Sequence, residues 1–258
     1  MRKTIIASAV IGILSVPAVA FAEDAPAATP SPFTGNMNFA SEYLYRGIAQ
    51  TRGNPALQGG FDYAHSSGAY IGTWASNISW ISDTNTGSVS LEWDVYGGYK
   101  GTAGPIGYDV GVLTYNYPGA NKPTGAARQD TQEVYAAVTW DFLTFKYSYS
   151  MGSLFGWTQT DDGSKTKGSG YAEVNVAFDV GNGFGLAGHV GHQTVKGRST
   201  ASYSDLKVGI TKDFGVGVVG LGMTTTNAKD SCSAVEDYCF GGYGAGKTRA
   251  YLTFGKTF

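Results

Sequence analysis

The stretch GSVSLEWDVYGGYKG, residues 87–101, alternates with period two: Val89, Leu91, Trp93, Val95, Gly97 and Tyr99 share one face, and Ser90, Glu92, Asp94, Tyr96, Gly98 and Lys100 share the other. That spacing is a β-strand. The pattern recurs about twelve times, predicting strands at 35–48, 55–64, 69–78, 88–100, 107–117, 132–140, 143–150, 171–180, 184–194, 203–212, 216–225 and 248–258. In the first, Met37, Phe39, Tyr43 and Tyr45 oppose Asn36, Asn38, Glu42 and Arg46; near 175, Ala172, Val174, Val176 and Phe178 oppose Glu173, Asn175, Ala177 and Asp179. In the third, Ile71 and Trp74 fall on opposite faces, which leaves its orientation open.

What each face touches is decided by the connections. Every second one is a tight turn (HSSG, TAGP, DF, GNG, DFG), and the rest are long and polar, up to TNAKDSCSAVEDYCFGGYGAGK. A soluble sandwich has no reason to sort its loops so. An outer-membrane barrel does, with an even strand number, short periplasmic turns and long extracellular loops. The expected fold is therefore all-β, an antiparallel transmembrane β-barrel of about 12 strands, with Trp93 and Val95 toward lipid and Glu92, Asp94 and Lys100 toward water inside.

Both ends of the chain agree. Arg2 and Lys3, an apolar run from Ile5 to Val19 and then Ala20-Phe21-Ala22 read as a secretory signal peptide at 1–22, followed by an Ala/Pro-rich flexible leader at 23–32 and the barrel at 33–258. The apolar run is shorter than a helix that spans a bilayer. At the other end, Ala250, Leu252, Phe254 and Phe258 alternate up to a terminal aromatic, a pattern presented to outer-membrane assembly machinery; Lys256 interrupts that face near the rim, where a lysine can snorkel. Export to the outer membrane of a Gram-negative bacterium, among lipid and lipopolysaccharide, is the expected location. A formal net charge of −2 argues against nucleic acid as a partner.

Several short strings resemble motifs that carry chemistry. GGYGAGKT at 241–248 fits a phosphate-binding loop, but only ten residues follow it and they alternate as a strand rather than opening a helix. GFGLAG at 183–188 and GVGVVG at 215–220 fit a dinucleotide fingerprint without its helix, and read better as turn and strand glycines. No cofactor or metal site is expected. An outer-wall hydrolase would need a Ser–His pair; His65 sits in a turn, while His189 and His192 are three apart and point to opposite faces, His189 inward. No nucleophile is evident beside either, so an enzyme is not expected. Cys232 and Cys239, in the last long loop of an exported chain, predict a disulfide.

Function then rests on the lumen. Alternation sends Glu42, Asp62, Glu92, Asp94, Asp109, Glu133, Glu173, Asp179 and Asp205 inward, against the bases Arg46, Lys100, Lys146, Lys207 and Arg249. Twelve strands fall between the filled barrels of eight and the open channels of 16–18, so a narrow pore is expected. Its surplus of negative charge would favour cations among small hydrophilic solutes. A barrel plugged by its own paired charges, and an adhesin or receptor displaying its loops, remain open alternatives.

SEYLYRGIAQT, PALQGGFDYAHSSGAYIGTWASN, LEWDVYGGYKG with GYDVGVLTYNYPG, and YSDLKVGITKDFG resemble the TorF family of proteobacterial porins over nearly the whole mature chain. These are strand and turn residues. The resemblance implies a porin-like barrel without supplying a substrate or a site residue.

Overall fold

A computed structural model describes residues 31–84, 87–121 and 127–258. The expected signal peptide and all but the last two residues of the leader lie outside the described residues. Twelve long strands form the wall: β1 (Phe33–Ala40), β4 (Ala56–Ala64), β5 (Ala69–Asn77), β6 (Leu91–Ala103), β7 (Ile106–Asn116), β8 (Thr131–Trp140), β9 (Leu143–Ser150), β10 (Gly170–Gly181), β11 (Phe184–Thr194), β12 (Tyr203–Asp213), β13 (Val218–Thr226) and β16 (Arg249–Thr257). Two miniature hairpins sit in loops, β2 (Leu44–Tyr45) with β3 (Ile48–Ala49) and β14 (Cys239–Phe240) with β15 (Tyr243–Gly244). One helical turn, α1, spans Trp80–Asp83.

Each wall strand pairs antiparallel with its neighbour, and β1 pairs with both β4 and β16, so the sheet closes into a barrel without an edge. The short turns after β4, β6, β8, β10 and β12 gather at one rim. Asp141 and Asn182 turn there with φ of 53° each, a conformation short polar residues tolerate. The other rim carries the long loops, as the sequence pattern requires.

Lipid-type side chains cover the outside: Phe61 is 73% exposed, Ile71 57%, and Val110, Val138, Leu206, Leu221 and Leu252 are exposed likewise. A soluble protein rarely leaves an apolar surface of that continuity in water. Ile71 outward puts Tyr70, Trp74 and Ser76 inside, which settles the third strand; Trp74 is 6% exposed.

The inside is built from tyrosine laid over glycine. Tyr96 on β6 covers Gly72 on β5, and Tyr135 on β8 covers Gly111 on β7; a Cβ at either glycine would collide with the ring. These glycines are partners of the tyrosines in the strand register, so the missing side chain makes room for a ring lying flat on the neighbouring strand.

The first predicted strand needs correction. The run 35–48 is not one strand. The wall strand ends at Ala40, and residues 41–55 leave the wall and fold back into the barrel. Tyr43 and Tyr45, expected to face lipid, are inside: Tyr43 is 1% exposed and packs edge-on against Trp74 at 5.6 Å. The reason is local. Arg46 and Gly47 both take positive φ, 45° and 79°, making the two-residue hairpin turn that a continuing strand forbids.

Candidate functional site: the occluded lumen

The inward loop crosses the barrel. It leaves the wall between β1 and β4, yet its tip binds β8, β10, β11 and β12 on the far side. The Arg46 guanidinium donates to both carboxylate oxygens of Glu133 at 3.0 and 2.8 Å and to Gln193 Oε1 at 2.9 Å. It also lies over the ring of Tyr171, 4.2 Å from its centre. Tyr203 Oη donates to the carbonyl of Arg46 at 2.9 Å. Gly47 fits against Thr226 and Asp205 so closely that any Cβ would strike both.

Behind the tip, the loop adds a layer of phenols. Tyr43 Oη donates to Glu92 Oε1 at 2.6 Å, and Tyr117 Oη donates to the other oxygen at 3.0 Å. Tyr45 and Tyr115 join hydroxyls at 2.6 Å, and Phe155, from the loop after β9, stacks edge-on against both rings. Burial is nearly complete: Glu92 is 2% exposed and Asp94 0%. These two carboxylates point inward as the alternation requires, but they do not face water. Among the described residues Asp94 has no hydrogen-bond partner on either carboxylate oxygen.

The Arg46–Glu133 pair is a latch. Its side chains are 8% and 2% exposed. Deleting one member of such a pair leaves an uncompensated buried charge, at a cost of about 3–5 kcal/mol. The fork is planar and bidentate, geometry that a lysine could not reproduce.

The remaining inward groups fall into local sets. Glu42, on the loop rather than on a wall strand, accepts from Gly53 N at 2.7 Å and Tyr243 Oη at 3.1 Å, with Arg249 at 3.7 Å. Burial beside that carboxylate pushes the Tyr243 hydroxyl up to about 12, so it stays a neutral donor. His189 sits between β10 and β12: Nε2 lies 2.9 Å from Asp205 and 2.8 Å from Tyr171, and Nδ1 lies 2.7 Å from Asn175 and 3.5 Å from Glu173. Lys207 lines a small crevice with Glu42 and Gln58. Asp179 is at the short-turn rim, exposed, where it accepts from Gly181 N at 2.8 Å. Asp62, Lys100, Asp109 and Lys146 line a cavity below the phenol layer, at the short-turn end.

Strand pairing does create a Ser–His contact on the outer wall, invisible to sequence. His192 and Ser204 are register partners on β11 and β12, with Nδ1 2.9 Å from Oγ. Among the described residues no carboxylate or amide hydrogen-bonds the ring's far nitrogen, and the contact lacks the orienting third member of a hydrolase triad. No group of three or more His, Cys, Asp or Glu arranged to hold a metal ion occurs among the described residues. The glycine-rich string at 241–248 lies in a loop hairpin followed by β16, with no helix for phosphate to cap. Cys232 and Cys239 are joined by a disulfide.

Comparison with known proteins follows the barrel. The KdgM porin in complex with disordered oligogalacturonate superposes with a TM-score of 0.50 at 7% identity, covering 88% of this chain and 97% of that one. The NanC porin gives 0.50 at 10% identity, covering 87% and 98%. At such identities the likeness is one of fold: both are porin barrels. No curated protein matches the sequence. The sequence profile of Gcw_chp, described as a bacterial protein of unknown function, matches residues 24–258, and the chain belongs to that family.

Proposed function

We propose that this protein is an outer-membrane porin-like channel for small hydrophilic solutes, weakly selective for cations, whose extracellular half is closed by the loop 41–55. The observation that carries this reading is the inversion of the barrel: apolar side chains outside, and inside a continuous set of charged and phenolic groups that a merely structural barrel could replace with apolar packing. The porin folds of KdgM and NanC and the resemblance of the strand motifs to the TorF porins support it. Export by the signal peptide 1–22, insertion by assembly machinery that reads Phe258, and contact with lipopolysaccharide at the long-loop rim belong to the same reading.

Passage requires the loop to withdraw. Its tip is held by Arg46 to Glu133 and to Gln193, Tyr43 to Glu92, Tyr45 to Tyr115 and Tyr203 to the Arg46 carbonyl, and its flanks by Tyr243 to Glu42 and Ala49 to the Ala245 carbonyl. Together these links make the closed form dominant and openings rare. Once open, the lumen presents Asp62, Glu92, Asp94 and Asp109, none with a base within ion-pair distance among the described residues, against Lys100, Lys146 and Lys207 without a carboxylate at that distance. That surplus of negative charge attracts small cations.

The latch also favours a second reading, a permanently closed structural barrel. Planar-bilayer recording of refolded protein in a potassium chloride gradient separates the two. The channel reading expects rare openings in the wild type, at least ten-fold more frequent openings in Arg46→Ala, and a reversal potential of the cation sign that shrinks in Glu92→Gln/Asp94→Asn. Silence in both wild type and Arg46→Ala would establish the closed barrel, and an anion-sign potential would defeat the selectivity.

A further inference from the structure

Below the phenol layer the lumen opens into a cavity of about 140 Å³ toward the short-turn rim. Two lysines and two aspartates line it. Lys100 and Asp109 are register partners on β6 and β7; Asp109 faces Ala137, and Ala137 faces Lys146, so two ammonium groups flank one carboxylate along the wall. Yet among the described residues no lysine nitrogen comes within 4 Å of a carboxylate oxygen there. Each instead lies over a phenol ring, Lys100 5.4 Å from the centre of Tyr70 and Lys146 4.5 Å from that of Tyr135.

The aspartates are held apart from the lysines by hydrogen bonds. Tyr96 Oη donates to Asp62 Oδ1 at 2.6 Å, and Tyr70 Oη donates to Asp109 Oδ1 at 2.6 Å. Tyr70 and Tyr135 also join hydroxyls, which ties the two anchoring rings together. Each of the three rings lies against a glycine of a neighbouring strand, Tyr70 on Gly98, Tyr96 on Gly72 and Tyr135 on Gly111, where a Cβ would collide with it. This leaves Asp62 Oδ2 buried without a hydrogen-bond partner among the described residues. An orphaned carboxylate oxygen near ammonium groups that stand beyond ion-pair distance, in a space large enough for a guest, is a preorganised arrangement of both signs.

A guest with one charge answers only half of it. A cation would satisfy the aspartates and leave the lysines opposed; an anion would do the reverse. A zwitterion answers both, with its methylene chain against Leu113, Ala137 and the tyrosine rings that share the lining. An engineered cavity of about 150 Å³ admits benzene, which sets the guest at about six to eight heavy atoms. We propose that the cavity binds a small zwitterion, an amino acid or short ω-amino acid, with its ammonium toward Asp62 and Asp109 and its carboxylate toward Lys100 and Lys146. The cavity lies on the short-turn side of the plug, with no residue of the loop 41–55 in its lining, so binding there does not require the loop to move and is independent of conduction.

Isothermal titration of the refolded protein in detergent tests this with three probes of one skeleton: γ-aminobutyrate, butyrate and butylammonium. The expected result is a dissociation constant for γ-aminobutyrate at least ten-fold lower than for either singly charged probe. Lys100→Met/Lys146→Met should reduce γ-aminobutyrate to the level of butylammonium, and Asp62→Asn/Asp109→Asn to that of butyrate. Folding of each variant is read from heat-modifiable electrophoretic mobility, and the wild-type panel decides alone if a variant does not fold. Absence of γ-aminobutyrate binding, equal binding of either single-charge probe, or unchanged affinity in both folded variants would overturn the site.

Discussion

The long-loop half and the short-turn half of the lumen are lined by the same strands with the same alternation, and they differ in almost every physical respect. Above, the groups are packed dry: Arg46 is forked onto Glu133, phenols cap Glu92, and Asp94 is buried beside them without a hydrogen bond among the described residues. Below, aspartates and lysines stand beyond ion-pair distance around open space. The wall does not make this difference. The fifteen residues from Ser41 to Pro55 make it, by supplying to one half the arginine and two tyrosines that the other half lacks. Alternation thus specifies which way a side chain points, while a loop specifies what it meets.

The comparison breaks most visibly at the latch. Arg46→Ala and Glu133→Gln should each destabilise the folded barrel by about 3–5 kcal/mol, because each strands a buried partner. The double variant should cost less than either single change plus the other. Urea unfolding in lipid vesicles reads the cycle; additive losses would mean the pair is not coupled. Next comes Gly47→Ala, which puts a Cβ against Thr226 and Asp205 at a φ of 79°. A cost of about 1–3 kcal/mol is expected, appearing as proteolytic nicking of the loop while the wall stays resistant. Protection equal to wild type would show that the tip is not held in the far wall.

In the lower half a comparable deletion should matter less. Tyr96→Phe removes the donor to Asp62, but water from the cavity can replace it, so a loss of about 1 kcal/mol is expected in the same unfolding assay. A loss as large as that at the latch would erase the distinction between dry and wet halves. Smallest is the disulfide. Reduction of Cys232–Cys239 loosens only a seven-residue span of a surface loop, and should leave the unfolding midpoint unchanged while shifting electrophoretic mobility slightly. A collapsed midpoint would show that the disulfide, and not the contacts of Tyr243 and Ala245 with the plug, holds that loop in place.

Most of the wall was legible in sequence because period two and loop length report on the same object from independent directions. Val95, Val112 and Phe254 could be placed on the lipid face without any contact being known, since lipid asks only for apolarity. The plug was not legible for the same reason. In SEYLYRGIA the alternation runs on past Ala40, and an aromatic residue satisfies lipid and a packed lumen equally well; only Arg46-Gly47, a turn-capable dipeptide inside an apparent strand, hinted at the reversal. Trp74 was ambiguous because its inward position is stabilised by Tyr43, a residue of that misread run. The short-turn cavity was half legible: its four charged residues were identified as inward, but whether they pair depends on tyrosines two strands away. His192 and Ser204 meet only through register, which sequence does not contain.

The latch carries a further meaning in time. Its arginine belongs to the first connection of the barrel, whereas its acceptors are 87 and 147 residues further along, on β8 and β11. Before β8 and β11 are in the sheet the loop has no far wall to reach. Glu133 and Gln193 converge on one guanidinium from strands that lie away from β1 in the closed ring, and that ring is completed by β16 on β1, the most sequence-distant pairing in the sheet. The full set of guanidinium contacts therefore ties the first connection of the chain to its later strands, and the ion pair that closes the lumen is also the point where the beginning of the barrel meets its far side.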